Sequence, residues 1–233
     1  STCRRLVESL ENDLPSRDTP SAFLHSQSVD FGRFKREAWS RECDVDALIV
    51  WSSIRSFVKG AVEALKLCRP LNRGEYMALG RRRCRLSDEQ RGVVYSEYER
   101  YEKYRKEKKL FDECDRISAV LGRVQDLLKS DSVAFEEIRH DKIYVDEIQD
   151  YTQCELALFF CLSGPGSLFL CGDPAQSVVE GVEFRFEDIR SVGHYLCSSG
   201  NRRLIPDKPL TVNVNFRSHS GVLDVAAGVL SLL

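Results

Sequence analysis

Lys142-Ile-Tyr-Val-Asp-Glu-Ile-Gln-Asp150 is the stretch whose reading decides the fold. Residues of strand character run straight into two adjacent carboxylates, and Gln149 and Asp150 follow after one more apolar residue. A buried parallel strand delivers acid groups to a sheet edge in this way, where a nucleotide's magnesium and the attacking water are held. The pattern predicts a strand over Ile143 to Val145 with Asp146 and Glu147 at its carboxyl end. Taken alone, the pair reads equally well as a carboxylate cap on the helix that follows.

Working outward, Cys154 to Leu162 reads as a helix, Gly164-Pro165-Gly166 as a turn and Ser167 to Cys171 as a second strand. Strand, helix, strand within about 30 residues is a parallel crossover unit. The second strand ends in Gly172 and Asp173, with Gln176 three residues on. An uncharged amide there can hydrogen-bond a terminal phosphate and report its presence, although a loop held by its own Asp and Gln is the commoner use of these residues. Further on, Leu210 to Val214 alternate as a strand, and Asn213-Val-Asn215-Phe-Arg217-Ser218 sets an arginine just beyond it. Such an arginine reaches across a cleft to a transferring phosphate, or serves as an ordinary surface salt-bridge partner.

The front half carries helical period instead. Leu6, Val7, Leu10 and Leu14 define a first amphipathic helix, and the period resumes from Asp30 to about Leu67, where Asp44 or Asp46 is placed to cap a second helix. Ser87 and Gln90 fit a capping box before a long helix bearing Tyr98, Tyr101 and Tyr104, which read as core. The run Arg81-Arg82-Arg83-Cys84-Arg85 fits either a phosphate-backbone contact or a solvated loop. Phe111 to about Leu128 forms another helix, and residues 200–209 read as a linker.

Lys and Arg number 34 and Asp and Glu 36, so a nucleic-acid partner would need a local basic surface rather than bulk charge. Nine cysteines, an odd count with no C-x-x-C pair, point away from a zinc site or a disulfide framework and toward a reducing intracellular compartment. Cys161 and Cys171 read as small core residues. No uninterrupted apolar stretch is long enough to span a membrane. The start Ser1-Thr-Cys-Arg-Arg5 is not a signal peptide, and the chain is expected to be an internal piece of something longer.

Val145-Asp-Glu-Ile-Gln-Asp150, Gly172-Asp-Pro-Ala-Gln-Ser177 leading to Phe184-Arg185, and Asn215-Phe-Arg-Ser218 together resemble motifs II, III and IV of the UvrD/Rep/PcrA-type superfamily 1 helicases, in order and at fitting spacing. Segments 48–60 and 172–190 resemble the divergent UvrD-like domain of large eukaryotic TPR and ankyrin repeat proteins. The resemblance implies an α/β fold: a P-loop NTPase (RecA-like) parallel sheet with a helical insertion, incomplete at both ends. Residues 1–28 would belong to the first RecA-like domain, 29–110 to the insertion, 111–200 to the rest of that domain and 201–233 to the start of a second. Phe111-Asp-Glu-Cys-Asp115 resembles the acidic segment where the chain returns from the insertion.

By the same resemblance, ATP and magnesium are the ligands. Asp146 would hold the metal, Glu147 would activate water, and Gln176 and Arg217 would contact the γ-phosphate. Gln149, Asp150 and Asp173 would complete the nucleotide site. Phe184 and Arg185 would lie along a single strand, of DNA more than RNA, with the aromatic stacked on a base. The implied activity of the intact protein is ATP hydrolysis coupled to movement on, or unwinding of, nucleic acid, with protein partners reached through flanking regions. Two departures stand out: the step from Gln176 to Phe184 is three residues longer than in the family, and Val179 replaces an aromatic. None of the 14 glycines precedes a lysine, so the G-x-x-x-x-G-K phosphate loop is not in this stretch and the isolated chain is expected to be inactive. The rival expectation is a helicase-derived module that binds proteins or senses nucleotide without being a motor.

Overall fold

Four helices of the front half start where Asp30, Asp46, Asn72 or Ser87 caps them, and helices there persist where apolar residues recur every three or four positions. The computed structural model describes residues 2–13, 25–80, 83–130, 133–164, 166–173, 176, 186–197, 205–212 and 214–231. Its helices are α1 Thr2–Asp13, α2 Phe31–Arg33, α3 Ala47–Ser53, α4 Val62–Leu67, α5 Arg73–Met77, α6 Asp88–Glu107, α7 Glu113–Lys129, α8 Val133–Ile138, α9 Gln153–Leu162, α10 Phe186–Cys197 and α11 Ser220–Leu230. α2 and α3 continue as π-helical turns over Phe34–Ala38 and Ile54–Lys59. Asp46 caps α3 by accepting the Leu48 N–H at 2.7 Å, and Ser87 and Gln90 close the expected capping box on α6.

Two apolar cores organise these elements. One gathers α1, α7, α9 and α10 around Ile117, Val124, Ile148, Leu156 and Val192. The other lies wholly between Val29 and Leu110, around Phe34, Trp51, Ile54, Tyr76 and Tyr101. In it the Phe34 ring meets Trp51 at 5.1 Å and stands edge-on to Tyr101 at 5.5 Å, so Tyr101, like Tyr95 and Tyr98, is core. Where the chain passes between the cores, β1 (Ser28–Val29) pairs in parallel with β2 (Phe111–Asp112), so the helix expected from Phe111 begins only at Glu113.

The crossover unit forms as the period predicts. β3 (Ile143–Val145) pairs in parallel with β4 (Leu168–Leu170) in the register Ile143 to Leu168 and Val145 to Leu170, and α9 connects them. All ten residues of α9 are buried, which suits a helix that is apolar on every side beyond its first turn, where Gln153 and Glu155 sit. The chain is thus mostly helical with two small parallel sheets.

The strand expected over Leu210 to Val214 does not form among the described residues of that stretch. A strand needs a ladder partner for its backbone groups, and Leu210 and Val212 stand 95% and 86% exposed. Of the arginine run, Arg81 and Arg82 lie outside the described residues. Arg83 pairs with Glu63, donates to Gln153 at 3.1 Å and lies 3.8 Å from Asp188, which gives it a structural task.

Candidate nucleotide site

The site begins where β3 ends. Val145 and Leu170 are opposite each other, so the next residues, Asp146 and Cys171, also face each other across the strand ends. The Cys171 thiol donates to Asp146 Oδ1 at 3.0 Å, and the Glu147 N–H donates to the same oxygen at 2.9 Å. These two donors, with the charge of Arg217 behind them, hold the exposed Asp146 carboxyl below the usual carboxylate range. The reciprocal effect pushes the Cys171 thiol up to about 11, first through its bond to Asp146. Cys171 is therefore not the small core residue its apolar neighbours suggest, whereas Cys161 is buried as expected.

Glu147 has left-handed backbone, φ 54 and ψ 46, a conformation that costs a non-glycine residue about 1–3 kcal/mol. It is held there from both sides. Ile148 is fully buried and its N–H donates to Cys171 O at 3.1 Å, while Cys171 N–H donates to Val145 O at 2.9 Å. The reversal aims the chain into a 3-10 turn, Ile148–Asp150, that leads directly to the Thr152 cap of α9.

Gln149 then joins the two strand ends. Its Nε2 donates to Glu147 Oε2 at 2.5 Å, and its Oε1 accepts the Asp173 N–H at 3.0 Å. Gln176 Nε2 in turn donates to Asp173 Oδ2 at 3.0 Å. A continuous hydrogen-bonded path thus runs from Glu147 through Gln149 and Asp173 to Gln176. It exists because Gly172 lets the strands approach: a Cβ there would lie 2.5 Å from Gln149 Oε1 and 2.7 Å from Ile148 Cγ1.

Arg217 is set by a local turn. Asn215 Oδ1 accepts the N–H groups of both Arg217 and Ser218 at 2.9 Å, a turn that sets the arginine where its charge acts on Asp146. The structure brings together Asp146, Glu147, Gln149, Asp173 and Gln176, with Arg217 in electrostatic reach. Asp150 ends the turn, exposed, with its N–H on Glu147 O at 3.0 Å. Phe184, Arg185 and Val179 lie outside the described residues.

Sequence reasoning missed Cys171 at the Asp146 carboxylate, and the strand register was the signal that would have found it. It also missed a buried ion cluster at the start of α7. Lys59 Nζ lies 2.5 Å from Asp112 and 2.7 Å from Asp115, and Tyr101 Oη donates to Asp112 at 2.7 Å. Burial works against the Lys59 charge, but the two aspartates outweigh it and raise its pKa. Nothing in the local pattern around Lys59, which sits in an apolar period, announces this.

The UvrD/REP helicase N-terminal domain family matches residues 9–189. The human TPR and ankyrin repeat-containing protein 1 is 38% identical over 215 residues, 88% of this chain. The chain spans 7% of that protein's length. No solved structure matches the chain. No helix among the described residues is long and apolar enough to cross a membrane. With the strand-end carboxylates, the second strand's Gly-Asp and Gln176, and a family match across most of its length, the chain belongs to the UvrD/REP helicase N-terminal domain family.

Proposed function

We propose that this chain forms one wall of an ATP and magnesium site in an ATPase that moves on, or unwinds, nucleic acid, single-stranded DNA in preference to RNA. The path from Glu147 to Gln176 carries the reading, because it ties the group suited to activating water to the group suited to sensing a terminal phosphate. Magnesium bound with ATP would neutralise charge on the phosphate oxygens. Asp146 fits that ion as an exposed, hard carboxylate kept ionised by its neighbours. Glu147 accepts a proton from water while Gln149 fixes its carboxylate. Asp173 orients the Gln176 amide, and Arg217 adds positive charge where the transferred phosphate carries its negative charge. Asp150, exposed at the end of the same turn, is assigned to the nucleotide, and Phe184 with Arg185 to the single strand, the aromatic stacking on a base.

In this reading residues 29–110, which hold their own core, are the helical insertion of the first RecA-like domain. Residues 1–28 and 111–200 are parts of that domain, and 201–233 open the second. A second reading is favoured by one observation: the relative's name denotes TPR and ankyrin repeats, architectures that present extended binding surfaces. There the domain senses nucleotide or binds proteins without turnover. ATP hydrolysis by the full-length protein, with and without single-stranded DNA, separates the two. DNA-stimulated turnover that Glu147→Gln abolishes while ATP binding persists supports the motor, and absence of hydrolysis from folded protein supports the second reading.

A further inference from the structure

The first turn of α9 is gripped by the helical segment that precedes it in sequence. Cys154 N–H donates to Gly60 O at 3.0 Å. Gln153 Oε1 accepts the Val62 N–H at 2.7 Å and Arg83 at 3.1 Å. Arg55 lies 3.7 Å from Glu155, whose carboxylate also accepts Thr152 N–H at 2.7 Å. Gly60 is pressed so close that a Cβ there would lie 2.9 Å from the Thr152 side chain and 2.2 Å from Arg55 O. Gln153 and Glu155 are polar yet buried, so these contacts are made away from solvent.

The other end of the grip is equally fixed. Arg55 and Lys59 share one π-helical turn, and Lys59 is locked to Asp112 and Asp115 where the chain leaves the segment. In the opposite direction there is no slack: only the Ile148–Asp150 turn and Tyr151 separate Glu147 from the Thr152 cap.

We infer that segment 29–110 is a lever on the nucleotide site, with Arg55, Gly60 and Gln153 as positioning residues that set the conformation of Asp146 to Asp150 through the first turn of α9. A displacement of the segment moves Thr152 and, through the short turn, the strained backbone of Glu147. The catalytic consequence rests on the ATPase reading above, but the mechanical coupling does not.

The test is hydrogen exchange by mass spectrometry on the full-length protein carrying Arg55→Met or Gln153→Met, beside Arg73→Met as a control. Arg73 pairs with Glu99 at 2.7 Å on the same segment, away from α9. Exchange across residues 148–152 is expected to quicken by at least about threefold in the first two variants and to stay unchanged in the control. Unchanged exchange in folded Arg55→Met and Gln153→Met, or an equal rise in Arg73→Met, overturns the lever. In the hydrolysis arm, both variants lower kcat with KM for ATP held within about twofold; unaltered kcat with faster exchange overturns the catalytic half. If the wild type hydrolyses no ATP, the ATPase reading fails while the exchange result still judges the coupling.

Discussion

Gln149 holds Glu147 in place from two residues away, its Nε2 donating to Glu147 Oε2 at 2.5 Å while its Oε1 is occupied by the Asp173 N–H. A carboxylate so restrained keeps one orientation instead of sampling several, which under the proposed function is the orientation it offers to water. Gln149→Ala removes the restraint without touching either carboxylate. Loss of an outer partner of this kind costs on the order of 10- to 100-fold, and the expected fall is in kcat with KM for ATP little changed. Steady-state kinetics on the full-length protein decide it: a variant as fast as wild type would mean the orientation is set elsewhere.

Gly172→Ala attacks the same path from the backbone. The new methyl group would overlap Gln149 Oε1 and Ile148 Cγ1, and Ile148 is too buried to retreat. Overpacking of this kind costs about 1–3 kcal/mol. The expected signature is a lowered denaturation midpoint together with lost protection of the Asp173 amide.

Lys59→Met leaves Asp112 buried without its cation, while Asp115, partly exposed, keeps Arg105 at 3.0 Å. Removing one partner of a buried pair costs about 3–5 kcal/mol, which for a domain of this size lowers Tm by on the order of 10 °C. Adding Asp112→Asn to Lys59→Met should recover part of the loss, because the second change removes the stranded charge. Purely additive losses in calorimetry would show that the pair's charges are not what is being lost.

The Cys171 thiol is the largest cause holding the Asp146 carboxyl down, so Cys171→Ala moves its titration upward, toward the ordinary 3.8. The sign follows from linkage. A folded value below the unfolded one means that the contacts stabilise the protein above pH 3.8, and that this contribution is lost as pH falls through the folded value. The Cys171→Ala protein loses that contribution at a higher pH than wild type. Carboxyl-carbon NMR across the acid range reads the midpoint directly, and an unmoved midpoint would remove the thiol from the account.

Legibility in the sequence followed locality. The β3, α9, β4 unit was readable because the apolar period changes after Phe135 and glycines mark the turn, and the Ser87 and Gln90 box was readable because its partners are three residues apart. Asp146 and Glu147 are legible from their place at the end of β3, and Gln176 from its place six residues beyond β4; their chemical roles belong to the proposed function. The local pattern offers Gln149 to the nucleotide, and its bond to Asp173 is out of view because the two are 24 residues apart. Lys59 and Asp112 are 53 apart and meet only once both cores exist. The strand expected at Leu210 failed for the opposite reason, since alternation is present and no ladder partner is found among the described residues.

The pairing of Ser28 with Phe111 bears on the order in which the molecule assembles. Bringing those residues together closes a loop of about 80 residues, at an entropic cost of about 4 kcal/mol. A ladder of two residues per strand, at about 0.5–1.5 kcal/mol for each bond, falls short of that. Collapse of the core around Phe34, Trp51 and Tyr101 must come first and deliver the two ends side by side. Pairing of β1 with β2 therefore waits on the segment enclosed between them, and weakening Trp51 or Tyr101 should slow the return of that pair in refolding.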